Sequence, residues 1–303
     1  MISSDVISNF ISSEHFGKIV MLNGCSSWDQ LVPNTLTFAV KFCSDFVLRA
    51  NQADVFVIAS EKYRNHLTCG HLIMDDPRLA YSLVVTKFFT TQSDFKIADS
   101  AKIGDEVQLG SNVSIGEYAV ITGKVTIGDY VTIGHHVILS GPLSIGDHTV
   151  IKPSSVIGEN GFGFAKDESG IPHMIPHRGG VTIGRHCLIG SLCSINRGVI
   201  KDTTLGDYVM LDDHVFVGHN AVLEDRVTVT GFSNVGGGNT LCEDCWIGPN
   251  STLMNGNIKI NRAAMVGIGS LVLRSVPAAM VVQGNPARTV WPRKGWEHLL
   301  PAK

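Results

Sequence analysis

The sequence predicts a mainly β chain: a solenoid with three short faces per coil, preceded by a small α/β domain and followed by a short tail. Two observations carry this. An aliphatic residue returns at every sixth position from Ile97 through Ile103, Leu109, Ile115, Ile121, Ile127, Ile133, Leu139, Ile145 and Ile151 to Ile157. The beat resumes at Ile183, Ile189 and Ile195, is reset at Leu205, and continues through Leu211, Val217, Leu223, Val229, Val235, Leu241 and Ile247 to Leu253. Gly follows many of these positions, as in Ile103-Gly104, Val217-Gly218 and Ile247-Gly248. A helix would smear a period of six around its circumference, and a flat sheet calls for a period of two. A solenoid points each aliphatic residue inward and uses Gly near its corners.

Composition narrows the function classes. The chain has 303 residues, room for two domains. It is 44% apolar and only 17% charged, which fits a surface of short turns. A net charge of −3 without a Lys/Arg cluster leaves no electrostatic footprint for nucleic acid. Met1 to Phe16 is polar and does not read as a signal peptide, and no apolar run is long enough for a membrane span. Seven cysteines in that setting read as reduced thiols of a cytoplasmic protein. Cys242 and Cys245 lack a second pair to complete a zinc site and are assigned to packing.

Taken in order, residues 1–95 lack the six-residue beat and read as the α/β domain. A helical segment opens it, Leu36–Val40 and Val55–Ala59 are strand candidates, and Asp76-Pro77 starts a helix as cap and first residue. The solenoid spans 96–275, interrupted by an inserted loop at 158–182. That loop is rich in Gly, Pro and His, displays Phe162 and Phe164, and is long enough to suggest a cleft-lining role. Four extra residues between Ile195 and Leu205 read as a bulged corner. The tail, 276–303, has space for one short helix.

Three hexads make a coil of eighteen residues, so positions eighteen apart stack on one face. Eighteen beyond His219 is Gly237, inside Val235-Gly236-Gly237-Gly238-Asn239. A histidine therefore lies one coil from backbone N–H groups that no side chain obstructs. Acyl transfer needs that pairing: a base working near neutrality and a donor for the oxyanion. His135, His136, His148 and His186 fall at solvent-facing positions, and for His173 and His177 in the insertion a surface role outweighs ligand contact.

Gly158-Glu-Asn-Gly-Phe-Gly-Phe164, Ile175-Pro176, Asn196-Arg197-Gly198, Asp212 and His219-Asn220 occur in the order of a known signature. With Leu36-Thr-Phe-Ala-Val40 and Asp76-Pro-Arg-Leu-Ala-Tyr81, the chain resembles the left-handed parallel β-helix acyltransferases with hexapeptide repeats. Among these it is most similar to the UDP-3-O-acylglucosamine N-acyltransferases of lipid A biosynthesis. The resemblance implies a homotrimer with sites in clefts between solenoids, and N-acyl transfer from a thioester to the amine of a nucleotide-linked amino sugar. His219 matches the general base, Gly237 the oxyanion donor, and Phe38 an aromatic that stacks on uracil. Asp212, Asn220, Phe162, Phe164 and Asn257 complete the implied substrate-binding set. No cofactor is implied as permanently bound; the donor is acyl-CoA or acyl carrier protein.

The chain departs from the pattern in places. Lys41 and Ser44 replace an Asn and a Tyr after the stacking Phe, and Asn196 stands where the family has Asp. Asn257 takes about the place of a second family histidine. Gly284-Asn285-Pro286-Ala287-Arg288 is similar to the tail of coenzyme A-dependent hexapeptide acetyltransferases, which implies Asn285 and Arg288 as donor contacts. Two other readings compete: a zinc lyase resembling the γ-class carbonic anhydrases, with His214 and His219 among its ligands, and a non-catalytic solenoid scaffold.

Overall fold

The computed structural model describes residues 1–90 and 95–300. The chain divides into two compact units, Met1–Ser93 and Asp94–Lys303. In the first, a five-stranded sheet runs in the order His15–Phe16, Gly70–Ile73, Phe56–Ala59, Thr35–Ala39, Gly24–Cys25. Its first pair is antiparallel and the others are parallel. Helices Ser4–Phe10, Ser44–Gln52 and Pro77–Phe88 join it, with a 3₁₀ turn at Glu61–Tyr63 and a short antiparallel pair of Ile2–Ser3 with Met21–Leu22. The last helix begins as expected, with the Asp76 carboxylate accepting from the N–H groups of Arg78 and Leu79 at 3.1 and 3.0 Å. The central strand is buried on both faces. Phe56 and Ile58 pack with Ile7, Leu36 and Val84, whereas Val57 and Ala59 pack with Phe46 and Tyr63.

The second unit is a left-handed β-solenoid whose strands form three sheets of ten, nine and eight members. One row of inward side chains runs Ile121, Leu139, Ile157, Ile195, Val217, Val235, Leu253, Val272, each paired with the next in parallel register. The insertion and the four-residue excess are looped out without breaking this row. Within the first coil, Ile97 and Leu109 remain 41% and 36% exposed, since a terminal coil stacks on one side only. Within the insertion, Phe164–Lys166 and Pro172–Met174 form an antiparallel hairpin. Two of the surface histidines join a ladder at left-handed corners: Tyr130, His148, His186 and Tyr208 stack ring on ring at 4.9, 4.8 and 4.9 Å.

The tail holds a short helix, a 3₁₀ turn at Glu297–Leu299, and two strands besides: Met280–Gln283 adds to the ten-stranded sheet and Arg288–Pro292 returns antiparallel to it. The last full coil presents an edge of unpaired backbone groups, and Val281-Val282 satisfies it. Arg293 secures the return by donating to the carbonyls of Asp244 and Ala263 at 2.7 and 3.0 Å. All seven cysteines are free; burial pushes the Cys245 thiol up to about 12. Among the described residues, no helix is long and apolar enough to cross a membrane.

Candidate active site

The parallel pairing of Phe216–Val217 with Asn234–Val235 sets two corners side by side, one carrying His219 and the other Gly237. Coil-to-coil contact here tolerates no side chain. A Cβ on Gly218 would lie 2.5 Å from the Gly237 nitrogen, and one on Gly237 would lie 3.0 Å from His219 Nε2. A cavity of about 310 Å³ opens at this point, lined among others by Phe162, Asn196, Phe216, His219, Gly237 and Asn255. Gly236 N–H donates to Leu253 and Gly238 N–H to the His219 carbonyl. The Gly237 N–H between them donates to none of the described residues, so it is open to a ligand.

The protonation of His219 follows from its neighbours. Asn220 Nδ2 donates to the Lys201 carbonyl at 3.0 Å, and Asn220 Oδ1 accepts from Val199 N–H at 3.1 Å. This fixes the amide's orientation. Oδ1 also lies 3.1 Å from His219 Nδ1, which must therefore be the donor. In the neutral ring the proton sits on Nδ1 and Nε2 keeps its lone pair, facing Gly237. The four-residue excess between Ile195 and Leu205 is thus more than a bulged corner. Its Val199 and Lys201 hold the amide that sets the tautomer.

The other sequence-predicted residues are distributed differently. Phe162 lines the cavity, 78% exposed, while Phe164 packs on it edge to face and lies outside the lining. Asn220 spends its amide within the chain. Asp212 does likewise, accepting from Asp213 and Gly231 N–H groups. Asn257 approaches Gly238 but does not line the cavity; Asn255 does. The extra residue in that coil falls after Leu253, where Thr240 pairs with Lys259, so Asn255 keeps the eighteen-residue register with Gly237. Applying the rule once more from Gly237 would have found it. His214 stacks on Phe232 at 4.4 Å, and among the described residues no three His, Cys, Asp or Glu side chains gather to hold a metal.

Two of the cavities elsewhere in the chain involve residues singled out in the sequence. In the N-terminal unit, about 790 Å³ is enclosed by residues including Trp28, Phe38, Lys41, Phe42, Arg78 and Tyr81. Phe38 and Tyr81 stand 4.7 Å apart at 39°, and burial, then a hydrogen bond with Cys25, pushes the Tyr81 phenol up to about 12. Ser44 does not line it. Near the end of the solenoid, Arg274 and Arg288 share a cleft of about 370 Å³, with Pro286 lining it and Asn285 not.

The bacterial transferase hexapeptide (six repeats) family matches residues 124–159. UDP-3-O-acylglucosamine N-acyltransferase of Campylobacter lari is 30% identical over 293 residues, covering 92% of this chain and 91% of that one. The chain belongs to the UDP-3-O-acylglucosamine N-acyltransferase family. Its counterpart in Herminiimonas arsenicoxydans is 35% identical over 127 residues, 42% of this chain, and the match spans only 36% of that protein's length. Among solved structures, LpxA of Acinetobacter baumannii superposes with a TM-score of 0.60 at 27% identity, covering 66% of this chain and 78% of that one. UDP-N-acetylglucosamine O-acyltransferase of Moraxella catarrhalis gives 0.61 at 25%, covering 67% and 76%. The solenoid of this chain is thus shared with these LpxA structures.

Proposed function

We propose that this chain transfers an acyl group from a thioester to the amine of a nucleotide-linked amino sugar, in the synthesis of lipid A or a related surface glycan. One observation carries the reading: an imidazole nitrogen with a free lone pair lies against Gly237, whose backbone N–H has no partner among the described residues, and both line one cavity. The sugar amine attacks the thioester carbonyl, forming the C–N bond, while His219 Nε2 takes the proton that the amine nitrogen gives up. The oxyanion of the tetrahedral intermediate accepts from Gly237 N–H. Collapse breaks the C–S bond, and His219 returns its proton to the departing thiolate.

Around this centre the remaining roles divide. Phe162 and Asn255 flank the reacting groups, with Phe164 behind Phe162. Asn220 orients the base, Asp212 braces the corner before it, and Asn257 shapes the far side of the glycine stretch. Phe38, paired with Tyr81, offers a face for the nucleotide base, with Lys41 and Arg78 for its phosphates. Arg288 with Arg274 suits a phosphorylated donor, acyl-CoA or the prosthetic arm of acyl carrier protein, and Asn285 shapes the turn beside them. A homotrimer in the cytoplasm completes the proposal, and the free thiols fit a reducing compartment.

The test is a mass-spectrometric screen of nucleotide amino sugars against short- and long-chain acyl-CoA and acyl carrier protein donors. N-acylated product is expected with at least one pair. His219→Ala should lower its turnover roughly 10²–10⁴-fold with folding intact. Full activity in that variant removes His219 from the mechanism.

A further inference from the structure

His177 belongs to the insertion, yet it is buried, only 5% exposed. Its ring meets that of His219 edge to face, with centroids 5.2 Å apart and planes at 75°. Both rings close on Gly161. A Cβ there would stand 3.1 Å from His177 Nε2, 3.1 Å from His219 Cδ2 and 3.2 Å from His219 Cβ. Gly161 is therefore the point at which the insertion, His177 and His219 touch, and its neighbour Phe162 lines the cavity.

The hydrogen-bond accounting of His177 is unusual. Its Nδ1 lies 2.9 Å from the Ile175 carbonyl, which can only accept, so Nδ1 carries the proton. In the neutral ring Nε2 is then a bare acceptor, and it is buried without a partner among the described residues. Buried acceptors in native proteins are nearly always paired, and an exception calls for a reason. Here the reason lies beside it. When His219 takes a proton its ring becomes cationic, and the lone pair of His177 is the nearby polar group left free to meet that charge.

We infer that His177 is a positioning residue for His219: it braces the imidazole edge-on and sets an unpaired Nε2 lone pair beside the charge that develops there. The inference rests on the reading of His219 as the base. It also explains why an unsatisfied acceptor is retained beneath the insertion. In this chain the insertion completes the base as well as walling the cavity.

Three variants test it, assayed on the best donor and acceptor pair from the screen. His177→Phe keeps a planar ring and removes the lone pair, whereas His177→Gln keeps an acceptor. Thermal melting by circular dichroism reports on folding. His177→Phe should lower kcat about ten- to hundredfold, the worth of a polar group set against a charge, with KM within about threefold. His177→Gln should recover most of that loss. Wild-type kcat in His177→Phe overturns the inference, as does an equal loss in both variants that tracks a fall in melting temperature. His219→Ala separates the two failures. If it is inactive while His177→Phe is unimpaired, only this inference falls; if it is fully active, the reading of the base falls first.

Discussion

The N-terminal unit and the solenoid bury their apolar side chains by different rules. In the N-terminal unit one strand, Phe56–Ala59, contributes to both cores and pairs with the strands on either side of it. In the solenoid an inward aliphatic residue answers only to the coils above and below; Leu241 is paired with Leu223 and Ile260 and with no distant element. One unit is held by convergence, the other by accumulation. The difference extends to their cavities. The N-terminal cavity collects Trp28, Phe38, Lys41 and Arg78 from separate segments, whereas the solenoid cavity repeats one corner in successive coils.

Core truncation should break the symmetry between the two most visibly. Phe56→Ala is expected to cost about 3–5 kcal/mol and Leu241→Ala about 2–5 kcal/mol. Hydrogen exchange should show protection lost across all five N-terminal strands in the first variant. In the second, loss should stay with Val222–Leu223, Thr240–Leu241 and Lys259–Ile260, leaving Thr132–Ile133 protected. Exchange that rises throughout the solenoid in Leu241→Ala would refute nearest-neighbour stacking.

Glycine substitution sharpens the contrast at the site itself. A Cβ on Gly237 would meet Asn255 Oδ1 at 2.8 Å and His219 Nε2 at 3.0 Å, whereas one on Gly24, in the N-terminal sheet, would meet nothing within 4 Å. Gly237→Ala would displace His219, the proposed base, and crowd the proposed oxyanion donor. Its kcat should fall roughly 10²–10³-fold, the usual worth of such a donor. Gly24→Ala should leave stability within about 0.5 kcal/mol of the parent. Steady-state kinetics beside a thermal melt checks both.

The same contrast explains what could be read in advance. The solenoid was legible because one rule, eighteen residues to a coil, fixes both the inward row and the partner of any corner. It placed Gly237 against His219 without knowledge of the backbone, and one further step reaches Asn255. Where the beat is interrupted the rule is silent. Val199 and Lys201 come to hold Asn220 because the four-residue excess folds back, and His177 reaches His219 because the insertion turns inward at Gly161. Neither fold-back has a period. The tail strands were hidden for a related reason: Val281-Val282 pairs because the previous coil leaves an edge, a fact of the array and not of the local sequence. In the N-terminal unit, alternation and the Asp76 cap revealed strands and a helix, but the cavity among them is a product of tertiary packing.

Acidification should produce the smallest effect and should fall on the N-terminal unit. His71 is 3% exposed, stacked on Phe16, with Nε2 buried and unpaired among the described residues. Burial holds its pKa below the ordinary histidine value, and the nearby Arg64 charge adds to this. His15, stacked on Phe56, is lowered by the same loss of solvent, opposed by Asp5. Above the unfolded-state value near 6.5, both states are neutral at these positions and they contribute no pH dependence. As pH falls through about 6.5 the unfolded chain takes up protons that the folded unit refuses, so stability declines until the lowered folded-state values are passed. Urea unfolding followed by hydrogen exchange at pH 7.5 and 5.0 should show the N-terminal strands opening at lower denaturant in acid. His71→Phe, which keeps the stack on Phe16 and removes the titrating ring, should flatten that dependence. An unchanged N-terminal midpoint between the two pH values would mean that these rings find solvent or a partner when charged.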